Sequence, residues 1–278
     1  MTVPPPLLDI GINLTHASFD SDRAAVLARA RAAGLVHMVV TGSSLESSPV
    51  ALALAATEPE FLSATAGVHP HHAAELDSAG VALLRRLLAS PLVVAVGECG
   101  LDYYRDLAPR AVQRAVFERQ LELAQLTGKP LFLHQRDAHA DFRDLLVAAG
   151  AARMPAVAHC FTGTRAEAEE YLALGLHIGI TGWICDERRG EHLREVVRHV
   201  PADRLMLETD SPYLLPRTLK PKPATRRNEP CYLGEVCRVV ALARDEDPAS
   251  VARASAATAA TFFGLAQRRG QASEPILS

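Results

Sequence analysis

The chain has 278 residues, 49% hydrophobic and 22% charged, a globular balance with enough apolar side chains for one large core. Its formal net charge of -3 at pH 7 excludes broad coating of a polyanion, so nucleic acid would need a local basic patch or a bound cation. Five cysteines without a Cys-x-x-Cys pair argue against a disulfide framework, and no apolar run reaches membrane-span length.

Met1–Pro6 lacks the charged start and apolar core of a signal peptide, which makes the cytoplasm the expected location. From there the chain alternates strand-like and helix-like segments. Strands are predicted at Leu7–Asn13, Val36–Thr41, Phe61–Gly67, Leu92–Glu98, Pro130–His134, Pro155–His159, Leu176–Ile180 and Leu205–Glu208. Helical spacing covers Ser21–Ala33, Ser44–Thr57, Ala79–Ala89, Pro109–Thr127, Asp137–Ala149, Arg165–Leu174 and Glu187–His199. Gly34, Gly128, Gly150 and Gly175 stand where helices should end, and Pro109 opens one. A Pro-rich stretch from Ser211 to Pro230 follows the last strand, then helical segments at Cys231–Ala243 and Ala249–Phe263. This alternation predicts a (β/α)8 TIM barrel. The runner-up, a doubly wound sheet, lacks a Gly-x-Gly-x-x-Gly turn after the first strand. Residues 1–266 read as one catalytic domain and 267–278 as a polar C-terminal tail.

The fourth strand stops at Gly97 with a lone acid, Glu98, beside two glycines. The next two strands each begin with Pro and end in His, at His134 and His159. Active sites of such barrels lie at the C-terminal strand ends. Read in order, those ends give Asp9 with Asn13, Thr41, His69 with His71, Glu98, His134, His159, Thr181, and Glu208 with Asp210. The opposite ends carry mainly Pro, Leu and Val. Adjacent strands lie about 4.8 Å apart, so Glu98, His134 and His159 can share one cation, with Asp210 closing the set from across the mouth. Such a cation can polarise a phosphodiester and lower the pKa of a bound water. Asp210 is the candidate base, Glu208 the fallback, and His69 a contact to a leaving group or phosphate. Magnesium is the first expectation, with manganese or zinc as alternatives. Cys99 and Cys160, next to two of these residues, read as small packing residues on the opposite face.

Asp9–Thr15, Ala66–His71, Gly97–Asp102, His159–Gly163 and Glu208–Tyr213, together with Ile180–Gly190 and Pro221–Pro230, resemble the motifs of the TatD family of metal-dependent deoxyribonucleases over nearly the whole chain. The resemblance implies a TIM barrel of the metallo-dependent hydrolase type. It implies a 3'-5' exonuclease acting on single-stranded DNA and RNA, with Glu98, His134 and His159 as metal ligands and Asp210 in the catalytic group. Many family members carry a His-x-His pair after the first Asp. Here those positions are Gly11 and Asn13, which puts a second ion in question.

On the substrate side, Arg217, Lys220, Lys222, Arg226 and Arg227 on the Pro-rich loop are expected to form a phosphate rim. Tyr103, with Tyr104 beside it, and Trp183 are candidates for stacking unpaired bases, and His71 for a further substrate contact. A monomer away from membranes is expected. Two rivals are weighed: a mononuclear esterase or lactonase of the amidohydrolase type, and a catalytically silent barrel used for binding. A dimetal centre bridged by a modified lysine is excluded, since Lys129, Lys220 and Lys222 are the only lysines and none ends a strand. The silent barrel gives no reason for Glu, His, His and Asp to gather at one rim.

Overall fold

Short, mainly apolar runs form all eight strands: β1 (Leu7–Ile12), β2 (Leu35–Val40), β3 (Leu62–Ala66), β4 (Val93–Asp102), β5 (Leu131–Arg136), β6 (Ala156–Ala158), β7 (His177–Ile180) and β8 (Leu205–Leu207). The computed structural model describes residues 5–150 and 153–265, so the predicted tail 267–278 lies outside the described residues. The strands pair in sequence order, all parallel. The circle is drawn shut just above β8, where Asp210 N donates to Gly11 O (2.9 Å) and Asn13 N to Ser211 O (2.8 Å). Asp9 joins the same seam: its carboxylate accepts from Thr209 N (3.0 Å), Thr209 Oγ1 (2.5 Å) and Gly11 N (3.2 Å). Asp9 is thus wholly buried within the wall and not at the mouth.

The helices α1 (Arg23–Ala32), α2 (Ser47–Thr57), α3 (Ser78–Leu88), α4 (Arg110–Thr127), α5 (His139–Ala148), α6 (Arg165–Ala173), α7 (Glu191–His199), α8 (Leu233–Arg244) and α9 (Pro248–Phe262) cover the outside. Local chemistry sets their ends. Thr164 and Glu167 form a capping box at the start of α6, and Gly128 takes a left-handed conformation (φ 67°) to end α4. The larger apolar cluster lies between strands and helices. A second cluster runs through Leu8, Ile10, Val39, Val94, Phe132, Val157 and Met206 and reaches Ala256, Ala259 and Phe263, so α9 plugs the floor of the barrel. Every residue of β1, β3 and β4 is buried, as expected of strands covered on both faces.

The fourth strand departs from its sequence reading. It does not stop at Gly97 but continues to Asp102, with its register to β5 shifting between Val96 and Cys99. Gly97 and Gly100 hold φ values of 142° and 145°, and a Cβ at Gly97 would sit 2.2 Å from Phe132 O. The glycines let the strand bend without breaking its ladder, and Glu98 turns inward at the bend. Cys99 packs into the outer core.

The Pro-rich loop is tied down by Arg227. Its guanidinium pairs with Asp22 (2.8 Å) and Glu229 (2.7 Å), donates to Ser18 O (2.6 Å) and lies over the Phe19 ring. Arg227 is therefore a clamp between loop and α1, not part of an open phosphate rim.

Candidate metal centre

Glu98 Oε1 is the hub of the site. It lies 2.9 Å from His159 Nε2, 3.0 Å from His134 Nδ1 and 3.4 Å from His69 Nε2. Strands β4 and β5 and the turns after β3 and β6 deliver these four side chains, the first and last 90 positions apart (69 and 159), to one point at the mouth. Each outer imidazole is backed by a second carboxylate. His159 Nδ1 meets Glu208 Oε2 at 3.0 Å, and His134 Nε2 faces Asp102 Oδ2 at 3.6 Å. The motif is carboxylate–His–Glu98–His–carboxylate. Metal-ligating histidines present one nitrogen to the ion and the other to such a carboxylate, so this donor set fits a divalent cation at Glu98, His134 and His159.

His69 belongs to the same cluster: the ligand atoms of His69, Glu98 and His134 lie within 4.8 Å of one another. Its hydrogen bonding assigns it a different part. His69 Nδ1 accepts from His71 N (3.1 Å), so the neutral ring carries its proton on Nε2, aimed at Glu98. Burial pushes the His69 imidazole well down and keeps it neutral. In this tautomer Nε2 donates a hydrogen bond in place of ligating, which suits the expected contact to an anionic oxygen.

The charges around the hub follow from the geometry. Burial alone would raise Glu98, yet His69, His159 and His134 hold it well below the usual carboxylate range. Burial would likewise depress His159, but the Glu208 and Glu98 carboxylates on its two nitrogens outweigh that and hold it well above normal. His134 is raised too, against its burial, by Asp102 and Glu98.

Asp210 follows β8 and faces the hub from across the mouth. Burial pushes its carboxyl up to about 7; His159 opposes the rise, while Glu98 and Glu208 add to it. Asn13 Nδ2 donates to its Oδ1 at 2.8 Å. Glu208 lies beneath the site with no exposure. Its Oε1 accepts from Cys160 N and its Oε2 faces His159, so it orients His159 from behind, out of reach of solvent. A Cβ at Gly11 would lie 2.6 Å from Glu208 Oε2. Glu208 therefore fills the space a side chain at residue 11 would need, and Asn13 is already committed to Asp210. Both positions of the His-x-His pair are occupied by other chemistry.

Other expected residues are placed as follows. His71 Nε2 bonds Asp102 Oδ2 at 2.6 Å and so braces the carboxylate behind His134. Tyr103 donates its hydroxyl to Asp141 (2.6 Å) under Arg110, whereas the neighbouring Tyr104 is 62% exposed. Trp183 stands half-buried on the turn after β7, and Arg226 is exposed on the loop. Three participants were not read from the sequence as such: Asp102, Gln113 and Gln120. Gln113 and Gln120, seven residues apart on α4, each clamp a backbone unit at the mouth. Gln120 Oε1 accepts from Val68 N (2.7 Å) and its Nε2 donates to Val68 O (2.9 Å) beside His69; Gln113 does the same for Asp102 (2.9 and 3.1 Å). A polar residue repeated on an otherwise apolar helical stripe is the signal that marks them.

Residues 8–264 match the family model described as TatD-related DNase. The chain is 53% identical over 261 residues to the 3'-5' ssDNA/RNA exonuclease TatD of Edwardsiella piscicida, covering 94% of this chain and 100% of that protein. It is 51% identical over 259 residues to the protein of the same description from Erwinia amylovora, covering 93% and 100%. Among solved structures, a TatD family hydrolase from Entamoeba histolytica superposes with a TM-score of 0.86 at 26% identity, covering 94% of this chain and 99% of that one. YJJV, a TatD homolog from Escherichia coli K12, gives 0.84 at 30% identity, covering 93% and 98%. With its barrel, its Glu98-centred histidines and these likenesses, the chain belongs to the TatD-related DNase family.

Proposed function

We propose that the chain is a divalent-cation-dependent exonuclease that hydrolyses phosphodiester bonds from the 3' end of single-stranded DNA and RNA. The observation that carries this reading is the convergence of three imidazoles on one Glu98 oxygen in a chain half identical to proteins of that description. Glu98, His134 and His159 would hold the cation, with Asp210 close by; magnesium is proposed, and manganese or zinc would also suit two nitrogens and a carboxylate. When bound, such an ion activates water and offsets phosphodiester charge. Asp210, poised near neutrality and steadied by Asn13, takes a proton from the attacking water. His69 donates Nε2–H to a phosphate or leaving-group oxygen. Glu208, Asp102 and His71 hold the two ligand rings in place. A monomer is proposed. Among the described residues no helix is long and apolar enough to cross a membrane. Nothing in the site favours the small-molecule esterase or lactonase.

The test is release of nucleotides from end-labelled single-stranded oligonucleotides, with and without chelator. The expected result is shortening from the 3' end that stops on chelation and returns with magnesium or manganese. Release indifferent to chelator, or none with magnesium, manganese or zinc, overturns the reading.

A further inference from the structure

Arg136 is the last residue of β5, two beyond His134. Residues i and i+2 of a strand share a face, so Arg136 stands on the mouth side of His134, about 7 Å further along. Its guanidinium lies 4.7 Å from the Tyr104 ring centroid and 5.7 Å from that of Trp183. A second arginine, Arg189, also lies over Trp183, 4.5 Å from its centroid, and is held by Asp186 at 3.4 Å. Among the described residues the Arg136 guanidinium makes these ring contacts and no ion pair or hydrogen bond. Most other arginines at the edge of the mouth are satisfied: Arg227 by Asp22 and Glu229, Arg217 by Glu187 at 3.6 Å.

Cation–π contact uses the face of a guanidinium and leaves its edge donors free. An arginine lying against two rings has less rotamer freedom to lose on binding, and its planar N–H fork fits a phosphate. The chain is net acidic, so an uncompensated, oriented cation one strand-step from the metal ligands is not part of a diffuse basic surface. We infer that Arg136, gripped between Tyr104 and Trp183, is the phosphate-binding residue that holds the substrate backbone one nucleotide from the scissile bond. This inference rests on the nuclease reading and names the residue that reads its substrate. The rings serve twice, since Tyr104 is 62% exposed and offers its outer face to a base.

The experiment compares wild type with Arg136→Met, and with Tyr104→Leu and Trp183→Leu, on a fluorescent single-stranded oligonucleotide over a salt series. Arg136→Met should raise KM about 10- to 100-fold, the scale of a charge-assisted contact. It should also flatten the dependence of log KM on log salt by about 0.7, the loss of one single-strand phosphate contact. The two ring variants should raise KM by less and leave the salt slope intact, because the charge remains. An unchanged slope in Arg136→Met overturns the inference, whether KM holds or rises, because a merely structural arginine would move KM without it. Should that variant fail to fold, judged by circular dichroism, the ring variants decide: an unaltered KM in both refutes the grip. Wild type that cuts no oligonucleotide refutes the nuclease reading itself.

Discussion

Glu98 collects three imidazoles at one oxygen; of the two that would ligate, His159 is steadied at 3.0 Å by the fully buried Glu208, and His134 faces the nearly buried Asp102 at 3.6 Å. Removing such a partner leaves the ligand in place but frees its ring and tautomer, which typically costs about 10- to 100-fold in metal affinity. Glu208→Gln should show that loss when manganese is titrated calorimetrically, with the fold retained. Undiminished affinity would place Glu208 outside the centre. Gly11 carries a different prediction. Its missing side chain is the room Glu208 occupies, so Gly11→Ala should destabilise by about 1–3 kcal/mol and weaken metal binding as Glu208 is displaced. Thermal unfolding of the two proteins measures the first effect. The residue types at these positions are plain in the sequence; the pairing of Glu208 with His159, 49 positions away, is not.

At the scale of elements, α4 does more than cover β4. Gln113 and Gln120 present side-chain amides that mimic a neighbouring strand and satisfy the backbone of Asp102 and Val68, which β-pairing leaves open at the mouth. Gln120→Ala leaves a buried N–H and C=O without partners, at about 1–3 kcal/mol each. The expected outcome is a lower thermal midpoint and a reduced kcat, since Val68 precedes His69. An unchanged midpoint would mean water replaces the amide. The strand itself shows how local reading fails: two glycines beside an acid read as the end of β4, but the ladder passes through them as a bend. The basic loop fails differently, because Arg227 is claimed by Asp22, 205 positions upstream, which no local window contains.

For the whole molecule the weak point is the seam between β1 and β8, where a buried Asp9 joins the ends of the barrel. Burial raises its carboxyl from 3.8 to about 7, even against the hydrogen bonds from Thr209 and Gly11. The folded state therefore holds its proton more tightly than the unfolded chain. Its contribution is full below pH 4, declines as pH rises toward 7, and stays lost above, by an amount on the order of a few kcal/mol. Denaturant midpoints should fall between pH 4 and 7 in wild type, and less steeply in Asp9→Asn. Parallel profiles in the two proteins would remove Asp9 as the source.

The sequence alone determined the alternation of strands and helices, the barrel they close, and the types of side chain at the strand ends. Period, glycine and proline placement and the polarity of a strand's last residue are local properties, written in consecutive positions. Tertiary structure alone decided what each of those side chains does. Glu98 became the hub and Glu208 its buried support, Tyr104 stood open while Tyr103 was bound to Asp141, and Arg227 was claimed by Asp22 while Arg136 stayed free of any ion pair among the described residues. Those outcomes depend on partners that arrive from other strands, and on bends that fix which way a side chain points, so they exist only once the barrel has closed.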